Sequence, residues 1–149
     1  MLKLLKKKIK IKKISRNDVR FLYNIYNENI EKGNFFSKKK LNYLDHKIWF
    51  NQKKSNSLIF ICIKKVKIGY IRYDEYKKDN YKVSIAIKDS SKNKGVGKLL
   101  LKKTLKKINS KKFNVFAYIK RSNDISKKFF LSCNFKMVES GKYMLKVKK

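Results

Sequence analysis

The chain has 149 residues, of which 42 are lysine or arginine and 10 aspartate or glutamate, a formal charge of +32 at pH 7. That length suits one ordinary domain, and 42% hydrophobic residues suffice for one sizeable core. No segment approaches the roughly 18 consecutive apolar residues of a membrane span. The opening MLKLLKKKIKIKK also lacks the apolar run of about 7 to 15 residues that follows a signal peptide's basic start, so the expectation is a single cytoplasmic domain over residues 1–149.

Only four of the cations are arginine (Arg16, Arg20, Arg72, Arg121), the residue best suited to bidentate phosphate and base contacts, and the chain has two Ala and no Pro but much Asn, Ile, Tyr and Phe. We read most of the lysine excess as a solvated coat set by an A+T-rich coding sequence, with a selected polyanion surface as the alternative. The lysine runs at residues 6–8 and 38–40 and at the C-terminus are too short to be tails. Cys62 and Cys133 lie in apolar runs without CxxC spacing or a His-rich neighbourhood, so they read as two buried thiols and no metal is expected.

In KIKIKKI, Ile9 and Ile11 alternate with lysines, predicting a first strand with one wet face. Ser15 and Asp18 have the spacing of a capping box for a helix carrying Val19, Leu22, Tyr23 and Tyr26 on one side and ended by Gly33. LNYLDHKIWFNQ puts Leu41, Leu44, Ile48, Trp49 and Phe50 at helical spacing, predicting a second helix. Two short strands follow, Ser57 to Ile63 and Ile68 to Tyr73, around the turn KKVK. YKVSIAI reads as a further strand with Val83, Ile85 and Ile87 on one face. Val96, Leu99, Leu100, Leu101, Leu105 and Ile108 mark an amphipathic helix. FNVFAYI is a strand, Asp124 to Leu131 a short helix, and FKMVES with GKYMLKVKK a closing hairpin about Gly141. The order β-α-α-β-β-β-α-β-α-β-β, with no linker and no repeat, is that of a mixed α/β chain with one central βαβ unit.

That unit contains the stretch IAIKDSSKNKGVGKLLLKKTLKKI, where a strand passes through a loop with Gly95 and Gly97 into a helix. Such a junction offers unpaired N–H groups and the positive end of a helix dipole to phosphate oxygens, and glycine permits positive φ and close approach. Lys92, Lys94 and Lys98 add charge around the same anion. A Walker loop fails, because Gly97-Lys98 is followed by Leu99 and the upstream glycine is missing. A dinucleotide fingerprint fails too, because Leu100 stands where its third glycine belongs.

Lys92-Asn93-Lys94-Gly95-Val96-Gly97 resembles the pyrophosphate loop of the GNAT superfamily of N-acetyltransferases, Arg/Gln-x-x-Gly-x-Gly/Ala, with Lys for the usual Arg or Gln. In NDISKKFFLSCNF, Asn123, Ser126 and Phe135 match that family's Asn-x-x-Ser-x-x-x-Tyr-x-x-x-Gly-Phe segment, with Phe130 in place of Tyr and Asn134 in place of Gly. The resemblance covers Ser57 to Val147 well and the first two helices loosely. It implies a GNAT fold: a mixed, mostly antiparallel sheet of about seven strands with strands 4 and 5 splayed apart, and about four helices. It also implies acetyl-CoA as cofactor, its pantetheine arm against Ile85, Ala86 and Ile87 and its pyrophosphate on Lys92, Asn93, Lys94, Gly95, Val96, Gly97 and Lys98, with Asn123 and Ser126 beside it. Direct attack by a neutral amine then needs a proton acceptor, and His46 and Glu75, with Asp74 behind them, are the candidates. The family's general acid is the Tyr replaced by Phe130, leaving water, Tyr118 or Tyr143 in that part.

His46, Trp49, Phe50, Gly69, Arg72, Tyr73 and the VSI of the fourth strand further resemble a branch that acetylates nucleotide-linked amino sugars in bacterial surface-glycan pathways. On that resemblance Trp49, Phe50, Arg72 and Tyr73 bind the substrate: an aromatic face for a sugar or base, a guanidinium for a diphosphate. The alternatives are that Trp49 is a core anchor and Arg72 pairs with Asp74. For function they are acetylation of a protein N-terminus or lysine, or a non-enzymatic nucleic-acid or ribosome-binding module. The assembly expected is a monomer or a homodimer.

Overall fold

The computed structural model describes residues 3–4, 8–33, 39–53 and 56–149; Lys6, Lys7 and Lys38 of the lysine runs lie outside them. The elements are β1 (Lys10–Lys13), α1 (Val19–Glu31), α2 (Tyr43–Lys53), β2 (Ser57–Lys64), β3 (Val66–Lys77), β4 (Asn80–Ile87), α3 (Val96–Leu105), β5 (Lys112–Tyr118), α4 (Asp124–Ser132), β6 (Lys136–Glu139) and β7 (Lys142–Lys148). The strands form one seven-stranded sheet in the order β1-β2-β3-β4-β5-β7-β6. Every neighbouring pair is antiparallel except β4 and β5, which run parallel because α3 carries the chain back across the sheet. This is the mixed α/β architecture that the element order predicts, with the mostly antiparallel seven-stranded sheet that the GNAT resemblance implies.

The capping box forms: the Ser15 N–H donates to Asp18 Oδ2 at 2.8 Å. It opens a 3₁₀ turn, Arg16–Asp18, so α1 begins one turn later than expected. Asp18 is fully buried, and its carboxylate meets Lys12 of β1 and Lys67 of β3, both at 2.7 Å. Burial alone would raise its pKa, but hydrogen bonds from Lys12, Lys67 and Ser15 outweigh that and hold it well below the usual carboxylate range. One side chain thereby joins the start of α1 to two strands. Gly33, at φ 69°, ends the helix as its position suggests.

Strand alternation sorts the core into two faces. Ile59, Ile61, Tyr70 and Ala86 pack against Val19, Leu22 and Ile25 of α1 and Phe50 of α2. Phe60, Ile71, Tyr73, Val83 and Val115 pack on the other face with Leu99, Leu100 and Leu101 of α3 and Phe130 of α4. Full burial of a leucine such as Leu100 contributes about 2 kcal/mol. Cys62 is buried as expected, but Cys133 is only half-buried, at the C-cap that follows α4.

Two expectations need correction. The face expected for α2 holds only in part: Phe50 is buried as expected, but Leu44 and Ile48 are 66% and 49% exposed and His46 is buried instead. Apolar residues fall on every side of this helix, and the inner face is taken by His46, against Tyr23, Tyr26 and Trp49, and by Phe50, in the core with Val19, Leu22 and Ile25. The third strand is also longer than expected, running to Lys77, so Glu75 lies within it rather than after it.

Candidate active site

Strands β4 and β5 pair only through Asn80↔Asn114, Tyr81↔Val115 and Lys82↔Phe116. Beyond Lys82 the strands diverge, leaving residues 83–87 of β4 paired with β3 on one side alone. Edge groups that a neighbouring strand would satisfy are thus open to a cleft.

The cleft continues into the loop before α3. A 3₁₀ turn, Asp89–Ser91, is followed by Asn93 at φ 59° and Gly95 at φ 75°, two left-handed residues that reverse the chain. Gly95 is the N-cap of α3 and supplies no side-chain cap. The Leu99 N–H reaches Gly95 O at 3.1 Å, and the amides ahead of it lie at the helix end where intrahelical acceptors run out. An uncapped helix end of this kind favours anions.

Free edge and loop together bound a cavity of about 580 Å³. Eleven of the twelve residues expected around the coenzyme line it: Ile85, Ala86, Ile87, Lys92, Asn93, Gly95, Val96, Gly97, Lys98, Asn123 and Ser126. Lys94 does not; its Nζ donates to Ser90 O at 2.8 Å, within the loop itself. Lys92 is partly committed to Asp89 (2.8 Å), which Lys32 also meets at 2.5 Å. Those hydrogen bonds, Lys32's first, bring the Asp89 carboxyl down to about 2.

Gly97 plays a different part from the one its motif suggests. A Cβ there would stand 3.0 Å from Phe129 Cε2 and 3.2 Å from Cζ, so what it excludes first is the α4 ring rather than a phosphate. Asn123 is the N-cap of α4, accepting from the Ser126 N–H at 3.1 Å, and Asn134, at φ 68°, takes the left-handed position usually given to glycine. The cavity is also lined by Asn29, Ser91, Ile125, Lys128, Phe129 and Ser132, which the motif reading missed. Four of these follow Asn123 at helical spacing, a signal present in the sequence. Asn29 comes from α1, with no local signal at all.

Neither proposed proton acceptor lines the cavity. Glu75 caps the β3–β4 turn, its Oε1 accepting from the Asp79 N–H at 3.0 Å. His46 is 1% exposed, its ring against Tyr23 and Trp49, and its Nδ1 finds no hydrogen-bond partner. Burial, with a contribution from the Arg72 charge, lowers its pKa to about 4, so the ring is neutral near pH 7.

Phe130 is a core ring, 5% exposed and edge-on to Phe129 and Phe135 at 5.1 and 4.9 Å. The position therefore supplies no acid. Of the expected substrate residues, Phe50 is buried against α1, and Tyr73 faces α3, its hydroxyl 2.8 Å from Thr104 Oγ1. Both belong to the core, because alternation sends Tyr73 to the opposite side of the sheet from Arg72. Trp49 and Arg72 do meet, the guanidinium 5.1 Å from the ring centroid. Arg72 Nε is 2.9 Å from Asp74 Oδ2, so the ion-pair alternative is realised.

Similar folds recur among solved structures. An N-acetyltransferase from Staphylococcus aureus Mu50 is 20% identical with a TM-score of 0.79, covering 94% of this chain and 98% of that one. A phosphinothricin acetyltransferase (Pat) from Sinorhizobium meliloti, in complex with AcCoA, is 15% identical with a TM-score of 0.81 over 95% of this chain and 88% of that one. A ribosomal-protein-alanine N-acetyltransferase from Brucella melitensis is 15% identical with a TM-score of 0.78 over 94% and 99%. At such identities the likeness is one of fold. No curated protein matches the sequence. Among the described residues, no helix is long and apolar enough to cross a membrane. The sequence profile of the Acetyltransferase (GNAT) family matches residues 19–135, most of the chain, and with the splayed β4–β5 pair and the glycine loop in place this protein belongs to that family: it is an acetyltransferase that uses acetyl-CoA.

Proposed function

We propose that the protein transfers acetyl from acetyl-CoA to the primary amine of a small molecule, and that the acceptor is a nucleotide-linked amino sugar. The observation that carries this reading is the continuity of the uncapped α3 N-terminus with the unpaired edge of β4 in one cavity. The loop amides and Lys98 hold the pyrophosphate, and residues 83–87 receive the pantetheine as an added strand. An N–H on that edge then stabilises the oxyanion as the amine adds to the thioester carbonyl. The C–N bond forms, the C–S bond breaks, and the amine proton leaves to water in the open cleft. With Phe130 at the usual acid position, the departing thiolate takes its proton from water or Tyr118.

The half-buried Trp49 beneath Arg72 supports a sugar or nucleobase at this end of α2. Thermal melting with acetyl-CoA tests the donor: ligand at 100 times its Kd stabilises by about 2.7 kcal/mol. Coenzyme A release with UDP-amino sugars beside amine-bearing peptides tests the acceptor. The absence of any shift at millimolar acetyl-CoA discards the donor assignment, and turnover of peptides alone discards the sugar.

A further inference from the structure

The last paired rung between β4 and β5, Lys82↔Phe116, lies where the cleft closes. Lys82, Phe116 and Tyr118 point to the sheet face shared with α1 and α2, opposite Val83, Val115 and Ala117 of the other core. Across β5–β7, Tyr118 stands beside Lys142 and Phe116 beside Met144. The Lys82 ammonium is 5.3 Å and the Lys142 ammonium 5.7 Å from the Tyr118 ring centroid. Lys142 is also 5.0 Å from the Phe116 centroid, and Tyr76 meets Phe116 edge-on at 6.0 Å. Tyr118 and Tyr76 remain 41% and 55% exposed.

Two ammonium groups over one exposed ring concentrate positive charge there, and few carboxylates offset it. Asp74 is opposite Lys82 across β3–β4, but Arg72 and Ser57 hold its oxygens. Lys142 pairs with Glu139 at 3.6 Å, whereas among the described residues Lys82 has no carboxylate within ion-pair distance. Arg72 and Lys142 thus each have a carboxylate, and Lys82, which has none among the described residues, lies with Lys142 at the vertex of the splay. A pantetheine lying along β4 from Ile87 delivers its acyl end to that vertex. A bare ammonium arriving there meets two positive charges, whereas an acceptor that brings its own anion is drawn to them.

We propose that Lys82, Lys142 and the Tyr118 ring form a specificity subsite that holds a carboxylate or phosphate of the acceptor while its amine meets the thioester. This rests on the acetyl-transfer reading above and narrows its acceptor to anionic amines.

The test uses two matched acceptor pairs, glucosamine 6-phosphate with glucosamine and phenylalanine with phenethylamine, so that phosphate and carboxylate are scored separately. The expected result is a preference of tenfold or more in kcat/KM for the anionic member of at least one pair. Lys82→Gln and Lys142→Gln should each reduce that preference about tenfold through KM, as expected for loss of a charge-assisted contact. Lys102→Gln, on the exposed side of α3, should leave the preference intact. Equal use of both members, or an equal loss in the Lys102 variant, overturns the subsite in favour of a general positive field. Each protein is also melted with and without acetyl-CoA. A normal shift with no acceptor preference, or with no acceptor turned over, sinks the subsite and spares the donor assignment. No shift in the unmodified protein sinks both.

Discussion

Gly97 separates two jobs that a glycine at this loop can do. In Gly97→Ala, the new Cβ stands 3.0 Å from Phe129 Cε2. Ordinary carbon contacts begin near 3.5 Å, so the ring must retreat by about half an ångström. Alanine favours the helix by up to about 1 kcal/mol, and the displaced ring costs a similar amount, so stability should change by less than about 1 kcal/mol, or under 4 °C in Tm. Phe129 and Gly97 both line the cavity proposed for the coenzyme, so the cost falls on the ligand: acetyl-CoA should bind about tenfold more weakly, a difference of about 1.4 kcal/mol. Gly97→Val adds two further carbons, should destabilise by about 1–3 kcal/mol and should remove the acetyl-CoA shift. Melting with and without ligand reads stability and affinity separately. Phe129→Leu in the Gly97→Ala background should recover most of the lost affinity, a coupling absent if the contact is irrelevant. A folded Gly97→Val protein with unchanged affinity would refute both the packing argument and the loop assignment.

Acid should weaken the fold in two steps. His46, with its pKa lowered from 6.5 to about 4, stabilises fully above pH 6.5 and progressively less as pH falls through 4, an effect of about 2–4 kcal/mol; the loss over that range should vanish in His46→Gln. Asp18 contributes stability above its ordinary carboxylate pKa that is lost only at lower pH, so Asp18→Asn should cost about 2 kcal/mol near neutrality, with the gap to wild type closing below pH 4 in denaturant titrations. His46→Gln should also lower kcat less than tenfold without changing the pH–rate profile; a loss beyond a hundredfold with a missing limb would restore it as the base. Phe130→Tyr buries a hydroxyl in the core and should cost about 1–3 kcal/mol with no gain in rate; a tenfold rise in kcat would show that the hydroxyl reaches the cleft.

Much of this protein is decided within short stretches of chain. Strand alternation in KIKIKKI and YKVSIAI, the Ser15–Asp18 box, the reversals at Gly33 and Gly141 and the Gly95 cap depend on neighbours a few residues away, so periodicity and backbone preference specify them. The loop proposed to hold the coenzyme is legible for the same reason: its run of amides at the start of α3 is set by consecutive residues. Where several residues compete for one face, tertiary contact decides. In α2, apolar side chains on every side left the inward face to be chosen by α1, and His46 was buried in place of Leu44 and Ile48. The strand pairing alone, by stopping at Lys82↔Phe116, opens the cleft, and α4 alone turns Gly97 into a packing position. Asn29 of α1, the Arg72–Asp74 pair and the two lysines over Tyr118 likewise meet only after the sheet assembles, because each contact joins segments whose separation along the chain carries no periodic signal.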